Sequence, residues 1–410
     1  LNKQYTPIIS RTLEFLNNLW TYNILKKKLK ISYNLEEKAG VPEIRDRKIC
    51  TKYFNKNLKK IITSAKKKSI PVFLCTIPVN HKYPPADFHE NFWEVLKDED
   101  GFRAKILLDT GNYTAALNSF NKIENKYSNN PYLHYYLGNT YEYLADFKNA
   151  LTEYKKAIDL DIPGYRCNSF RNDTIRKICK QGYATIIDFE KIIMELASEG
   201  ITDFSHFIDN CHFSRIVYAI LIQQIAHTFQ NNYALKNVRH IKNDTRVTAN
   251  IRKQIIPEKD YGCFEDQLLA FIFNEIHYGN SYPDPDSLIW IYHWYPEIIE
   301  KAIYSKEEII NKYLAYHFTT DNNIMPDRQW AKLLFSIGEM YRVLKRYDEA
   351  IKLYNMAEST GNMEDPVKLL VFLYRGITFY LTGNIEKAHK DFEKVIEMDK
   401  NFSWLNDFQL

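Results

Sequence analysis

The residues best suited to chemistry lie in "HFIDNCHFSRIVY", His206 to Tyr218, where Asp209 and His212 stand three positions apart, just ahead of an apolar segment with helical character. A loop can fold that carboxylate back onto one ring nitrogen of the imidazole. This orients the ring and leaves its other nitrogen to take a proton from a hydroxyl. The competing reading is structural: an aspartate that caps or turns the chain, with a nearby exposed histidine. His206, one turn earlier in a phenylalanine-rich stretch, reads as a packing residue rather than a second base.

A pair on a loop needs rigid elements on either side. "IPVFLCTIPVN" (Ile70 to Asn80) is a short apolar, β-branched run bounded by prolines, which predicts a buried parallel strand, and "YATIID" (Tyr183 to Asp188) predicts a second. Each follows a helix-like stretch, Lys52 to Ser69 and Asn172 to Lys180, so helix then strand occurs twice, as in α/β units around a parallel sheet. After the second strand come the helix-like "FEKIIMELASEG", the loop carrying Asp209 and His212, and the apolar helix "IVYAILIQQIAHTF".

Between the two strands the texture changes. "LLDTGNYTAALNSFNKI" and "YLADFKNALTEYKKAI" align with Ala116 over Ala150, Phe120 over Tyr154 and Ile123 over Ala157, an offset of 34 residues each time. A 34-residue period with small residues at fixed places and aromatics four positions later is the signature of tetratricopeptide repeats. A second pair closes the chain, with Gly338, Tyr341, Ala350, Tyr354 and Ala357 repeated as Gly376, Phe379, Ala388 and Phe392. Its glycines are 38 apart, which predicts a four-residue extension in the "TGNMEDP" connection. Two repeats are fewer than the three or so that stand alone, so each pair must lean on neighbouring structure.

Length and composition set the frame. A chain of 410 residues is too long for one ordinary domain. With 45% hydrophobic and 26% charged residues and a mean hydropathy of -0.43, it is globular in composition and carries no membrane-spanning run. The net charge of +4 is too small to imply a nucleic-acid partner, and clusters such as Lys66-Lys67-Lys68 read as solvated helix faces. Cys50, Cys75, Cys167, Cys179, Cys211 and Cys263 are scattered without a C-x-x-C pair, so no zinc module, disulfide framework or other metal or cofactor is indicated. The 30 tyrosines and 24 phenylalanines largely fall where repeat packing already accounts for them, rather than marking a carbohydrate platform. The opening "LNKQYTPIIS" has neither an initiator methionine nor a signal-peptide pattern, the texture of a fragment.

Taken in order, "FLCTIPVNHKYPP", inserted repeats, "AIDLDIPGYRCNSFRNDTIRKICKQGYATIIDFEKI" and "GITDFSHFIDNCHFS" resemble the tetratricopeptide-containing branch of the SGNH (GDSL-type) hydrolases, over about residues 50 to 230. The resemblance implies a partial flavodoxin-like parallel-sheet domain. In it His212 is the general base for a serine nucleophile and Asp209 its orienting acid, with Arg166 and Asn172 near the substrate. For Arg166 the simpler reading is an ion pair with a carboxylate. The family's Gly-Asp-Ser block and its two oxyanion blocks are not recognisable, and Ser281 in "YGNSYP" comes after the histidine, in the wrong order. Since Leu1 to Ser69 reads as the helical region that follows those blocks, the resemblance implies a serine upstream of Leu1.

The organisation expected is α/β plus all-α: residues 1–95 and 163–230 as two parts of one α/β domain, 96–162 as inserted repeats, 231–327 as a helical region of unassigned role, and 328–410 as C-terminal repeats. The functional expectation is hydrolysis or transfer of an ester, such as an O-acyl group on carbohydrate, with a protein or peptide partner held in the repeat grooves. The alternative is a non-enzymatic repeat scaffold.

Overall fold

A computed structural model describes residues 44–85, 91–161, 166–207, 211–232, 326–361 and 365–408, with Met363 and a few positions between 288 and 303. The expected features of 231–327, Ser281 among them, otherwise lie outside the described residues, as does Asp209. The chain divides into a unit of residues 1–48 and a unit of residues 49–410, and every described element beyond the first turn of the first helix belongs to the second.

Helix α1 (Ile44–Lys67) leads into strand β1 (Phe73–Cys75). Helices α2 (Asn91–Lys97), α3 (Glu99–Asp109), α4 (Tyr113–Ile123), α5 (Pro131–Tyr143) and α6 (Phe147–Leu160) follow, then α7 (Ser169–Lys180) and strand β2 (Thr185–Ile187). Next are α8 (Phe189–Leu196) and α9 (Arg215–Asn232), and after the interval come α10 (Pro326–Val343), α11 (Tyr347–Ser359), α12 (Asp365–Leu381), α13 (Ile385–Met398) and a 3-10 segment, Lys400–Asp407. The fold is thus mostly helical. The two expected strands form, and they pair in parallel with Phe73 opposite Thr185 and Cys75 opposite Ile187. Among the described residues the sheet stops at these two strands, so the larger flavodoxin-like sheet is not present there.

Three of the four repeats are built on one contact. A Cβ on Gly138 would lie 2.6 Å from the Tyr154 ring, and one on Gly338 or Gly376 2.7 Å from Tyr354 or Phe392. The first repeat has Ala104 and Phe120 at the same separation of sixteen, both fully buried. Two helices cross closely enough for a ring to lie on bare backbone, so glycine or alanine is required beneath it. Helix starts are fixed locally: Asp98 accepts from the amides of Asp100 and Gly101, and Asn130, followed by Pro131, accepts from those of Tyr132 and Leu133.

The extra four residues between the last two repeats do not make the longer loop that the turn-rich sequence predicts. Helix α11 runs to Ser359, nine residues past Ala350, where α4 ends at Ile123, seven past Ala116. Helix α12 starts at Asp365, eleven before Gly376, where α5 starts at Pro131, seven before Gly138. The insertion became helix because "DPVKLLVF" is apolar and starts with aspartate and proline, both favourable in a first turn.

The two repeat pairs lean on each other. Phe102 of α3 meets Trp404 at 5.1 Å and Phe408 at 5.8 Å between ring centroids, Trp404 Nε1 donates to the Lys97 carbonyl at 3.2 Å, and Lys97 pairs with Asp399 at 2.7 Å. Both pairs therefore share one apolar core. Helix α5 is buried from Pro131 to Thr140, with the hydroxyls of Tyr132 and Tyr135 donating to the Pro85 and Lys82 carbonyls.

Candidate functional site

The parallel strands deliver two segments to their C-terminal end, and a polar knot ties them there. Thr76, just after β1, donates its hydroxyl to Asp188, just after β2, at 2.8 Å and accepts from the Glu190 amide at 3.0 Å. Arg176 grips both oxygens of Asp188, at 2.9 and 2.8 Å. Burial alone would raise the Asp188 pKa, but the Arg176 guanidinium and the Thr76 hydroxyl bring it below the ordinary carboxylate value.

The segment leaving β1 is then fastened along its length. Asn172, fully buried, clamps Ile77 with both ends of its amide: Oδ1 accepts from the Ile77 N–H and Nδ2 donates to the Ile77 carbonyl, each at 2.9 Å. Arg166, 3% exposed, donates to the carbonyls of Tyr83 and Asn80 and pairs with Asp161 at 2.9 Å. Thr202 donates to the Val79 carbonyl, and His81 and Thr202 exchange bonds: the His81 amide donates to the Thr202 carbonyl and the Thr202 amide to His81 Nδ1, at 3.0 and 3.1 Å. Burial, with Lys155 and Arg166 nearby, pushes the His81 pKa down to about 3 and keeps its ring the neutral acceptor this arrangement needs.

Arg166 and Asn172 were expected near a substrate. Their polar atoms bond the backbone after β1, and the ion pair anticipated for Arg166 is the one made with Asp161.

The loop with the Asp-x-x-His spacing is closed at its base. Phe207 and Phe213 form an isolated antiparallel bridge, and the Ser214 amide donates to the His206 carbonyl at 2.9 Å. The Phe213 ring sits 5.5 Å from Phe207, 5.6 Å from Phe189 and 5.3 Å from Tyr218, an aromatic clamp that seats the loop on α8 and α9. His212 lies exposed on this loop, with Cys211 Sγ 3.8 Å from its Nδ1.

The orientation of α9 fixes where that loop sits. Phe229, near its C-terminus, stacks at 4.2 Å on Phe73, the first residue of β1. The helix therefore runs back along the strands, and its N-terminus, three residues after His212, lies beyond their C-terminal ends. Thr202, bonded to the segment after β1, approaches that end independently. In open α/β folds this is the side on which ligands bind.

Sequence reasoning passed over a second pair at the same spacing. Asp203 Oδ1 accepts from Ser205 and lies 2.9 Å from His206 Nδ1. Burial would raise the Asp203 pKa, but hydrogen bonding to His206 and Ser205 brings it down to about 2. His206 is 4% exposed among Phe204 and Phe207, which fits its reading as a packing residue. The signal for this pair was available in "DFSH" itself, which repeats the Asp-x-x-His spacing six residues before "DNCH".

Compared with known proteins, the chain carries the pattern of the tetratricopeptide repeat family over residues 132–161, helices α5 and α6. No curated protein matches the chain. The similarity thus attaches to one repeat, whose fold is a packing module that elsewhere carries protein–protein contacts.

Proposed function

We propose that the chain is a tetratricopeptide-bearing segment of an SGNH-type serine hydrolase, acting on an ester such as an O-acyl group on carbohydrate. His212 is its general base, Asp209 the acid that orients it, and the serine comes from outside the described residues. The observation that carries this reading is the exposure of His212 on a clamped loop beyond the C-terminal ends of two parallel strands. In this scheme the imidazole takes the serine proton as the hydroxyl oxygen attacks the acyl carbon, then returns it to the departing alcohol. Arg166, Asn172 and Thr202 act one step back, by holding the segment after β1 in place. Residues 96–162 are read as an insertion into this domain and 328–410 as an appended repeat pair.

A second reading, a protein-binding scaffold without catalysis, is favoured by the repeat match. Because the first helices of the repeats are deeply buried, a partner in either reading would meet the second helices, α4, α6, α11 or α13. The two are separated by assaying the native protein from its cells on a short-chain aryl ester, beside a His212→Ala form. Turnover that the substitution abolishes, with an unchanged thermal midpoint, supports the hydrolase. Absence of turnover in the native protein, or turnover indifferent to His212, overturns it.

A further inference from the structure

Helix α9 turns apolar side chains in two directions. Val217 and Ile220 are buried and pack with Ile187, Phe189 and Ile193 in the smaller of the two apolar cores. On another side Tyr218, Ile222, Ile225 and Phe229 are 45%, 66%, 36% and 38% exposed. A lone exposed isoleucine needs no explanation, but four large apolar side chains in one row do. Their intervals are four, three and four, the narrow seam along which one helix packs on another. The row is about 16 Å long at the rise of an α-helix. Its flanks are Ala219, Leu221, Ala226 and Thr228, and no Asp, Glu, Lys or Arg occurs from Ile216 to Leu235. A second helix can therefore come close without meeting a charge.

We infer that this seam pairs with the same seam of a second copy of the chain, antiparallel about a two-fold axis. The order along it is aromatic, isoleucine, isoleucine, aromatic, which reads the same in both directions. Laid antiparallel, Ile222 meets Ile225 of the second copy and Tyr218 meets Phe229 of the second copy. Each contact is then made twice, the self-complementarity that a two-fold interface requires. A charged partner would find nothing here to pair with. A bilayer is a poor match too, since helices that lie on one edge their apolar face with lysine and arginine, and no helix among the described residues is long and apolar enough to cross a membrane. At about 200 Å² per large side chain, the four leave about 370 Å² exposed in each copy. With the flanking residues the pair comes near the roughly 1,000 Å² at which specific interfaces begin, so the dimer is weak, with a dissociation constant on the order of 10 μM. It is independent of any activity at His212.

The test is sedimentation velocity of the full chain from about 1 to 200 μM, where a dimer of this strength passes from mostly dissociated to mostly formed. Ile222→Glu and Ile225→Lys, made separately, should each weaken it by at least about tenfold, because each would bury an unpaired charge in the seam. Mixing the two variants should restore a dimer, since the antiparallel register sets the new glutamate of one copy against the new lysine of the other and leaves the remaining two isoleucines in contact. Recovery on mixing also shows that neither variant lost the dimer through misfolding. A monomer at every concentration overturns the inference, and so does a dimer that survives both substitutions. Loss in each variant without recovery in the mixture overturns the antiparallel pairing.

Discussion

Arg342 of α10 donates to Asp109 of α3 across 2.7 Å, joining two repeat pairs that lie 233 residues apart in sequence. The guanidinium is almost wholly buried, also grips both oxygens of Glu339, and lies 4.9 Å over the Tyr374 ring. Burial disfavours its charge, but Glu339 and Asp109 more than compensate and hold its pKa well above the usual arginine value. Lys105 balances the remaining charge through Asp109 at 2.6 Å.

Removing the guanidinium leaves one buried carboxylate in excess, so Arg342→Met should cost about 3–5 kcal/mol in urea denaturation at neutral pH. Adding Glu339→Gln leaves Asp109 balanced by Lys105, and the double variant should be more stable than the single one. Equal losses in the two would mean that side-chain packing, not charge balance, joins the repeat pairs.

The turn inside each repeat needs a residue in left-handed conformation, and the four repeats meet the need unequally. Gly111 and Gly383 have φ of 87° and 79°, while Ala145 and Lys345 hold φ of 59° and 60° at the corresponding places. A side chain there costs about 1 kcal/mol relative to glycine. Ala145→Gly and Lys345→Gly should therefore each raise stability by up to about 1 kcal/mol, despite the added freedom of the unfolded chain. A calorimetric midpoint that falls in both variants would show that the unfolded-state entropy dominates.

What the sequence made legible was what packing repeats. The small residue beneath a ring recurs at fixed spacing because two helices cross the same way each time, so Gly138, Gly338 and Gly376 could be aligned directly. The strands were legible as short apolar runs, the first bounded by prolines and the second rich in β-branched residues. The couplings that position the loop were not. Thr202 with Val79, Asn172 with Ile77 and Arg342 with Asp109 join residues 95 or more apart, and a polar side chain bonded to distant backbone leaves no periodic trace. For Arg166 and Asn172 the task on view is holding the backbone after β1.

That task makes its own prediction. Asn172→Ala would remove the partners of the Ile77 N–H and carbonyl together, a loss of about 1–3 kcal/mol for the two bonds. Asn172→Asp restores the acceptor but not the donor and should fall between the two in thermal melts. A side chain that merely touched substrate would instead leave the melting midpoint unmoved in both.

His81 supplies a pH dependence with a definite sign. Its folded pKa is lowered to about 3 from the ordinary 6.5, so the unfolded chain takes up a proton at this residue before the folded one does. The contribution is therefore full above pH 6.5 and is lost as the pH falls from there towards 3. The loss runs at about 1.4 kcal/mol per pH unit, or about 2 kcal/mol by pH 5. His81→Asn keeps an acceptor near the Thr202 amide without the titrating ring, so the difference in unfolding free energy between the two proteins should shift in favour of the variant between pH 7 and 5. A constant difference across that range would mean that His81 gains its proton in the folded protein as readily as in the unfolded chain, and that its ring does not hold the segment after β1 as a neutral acceptor.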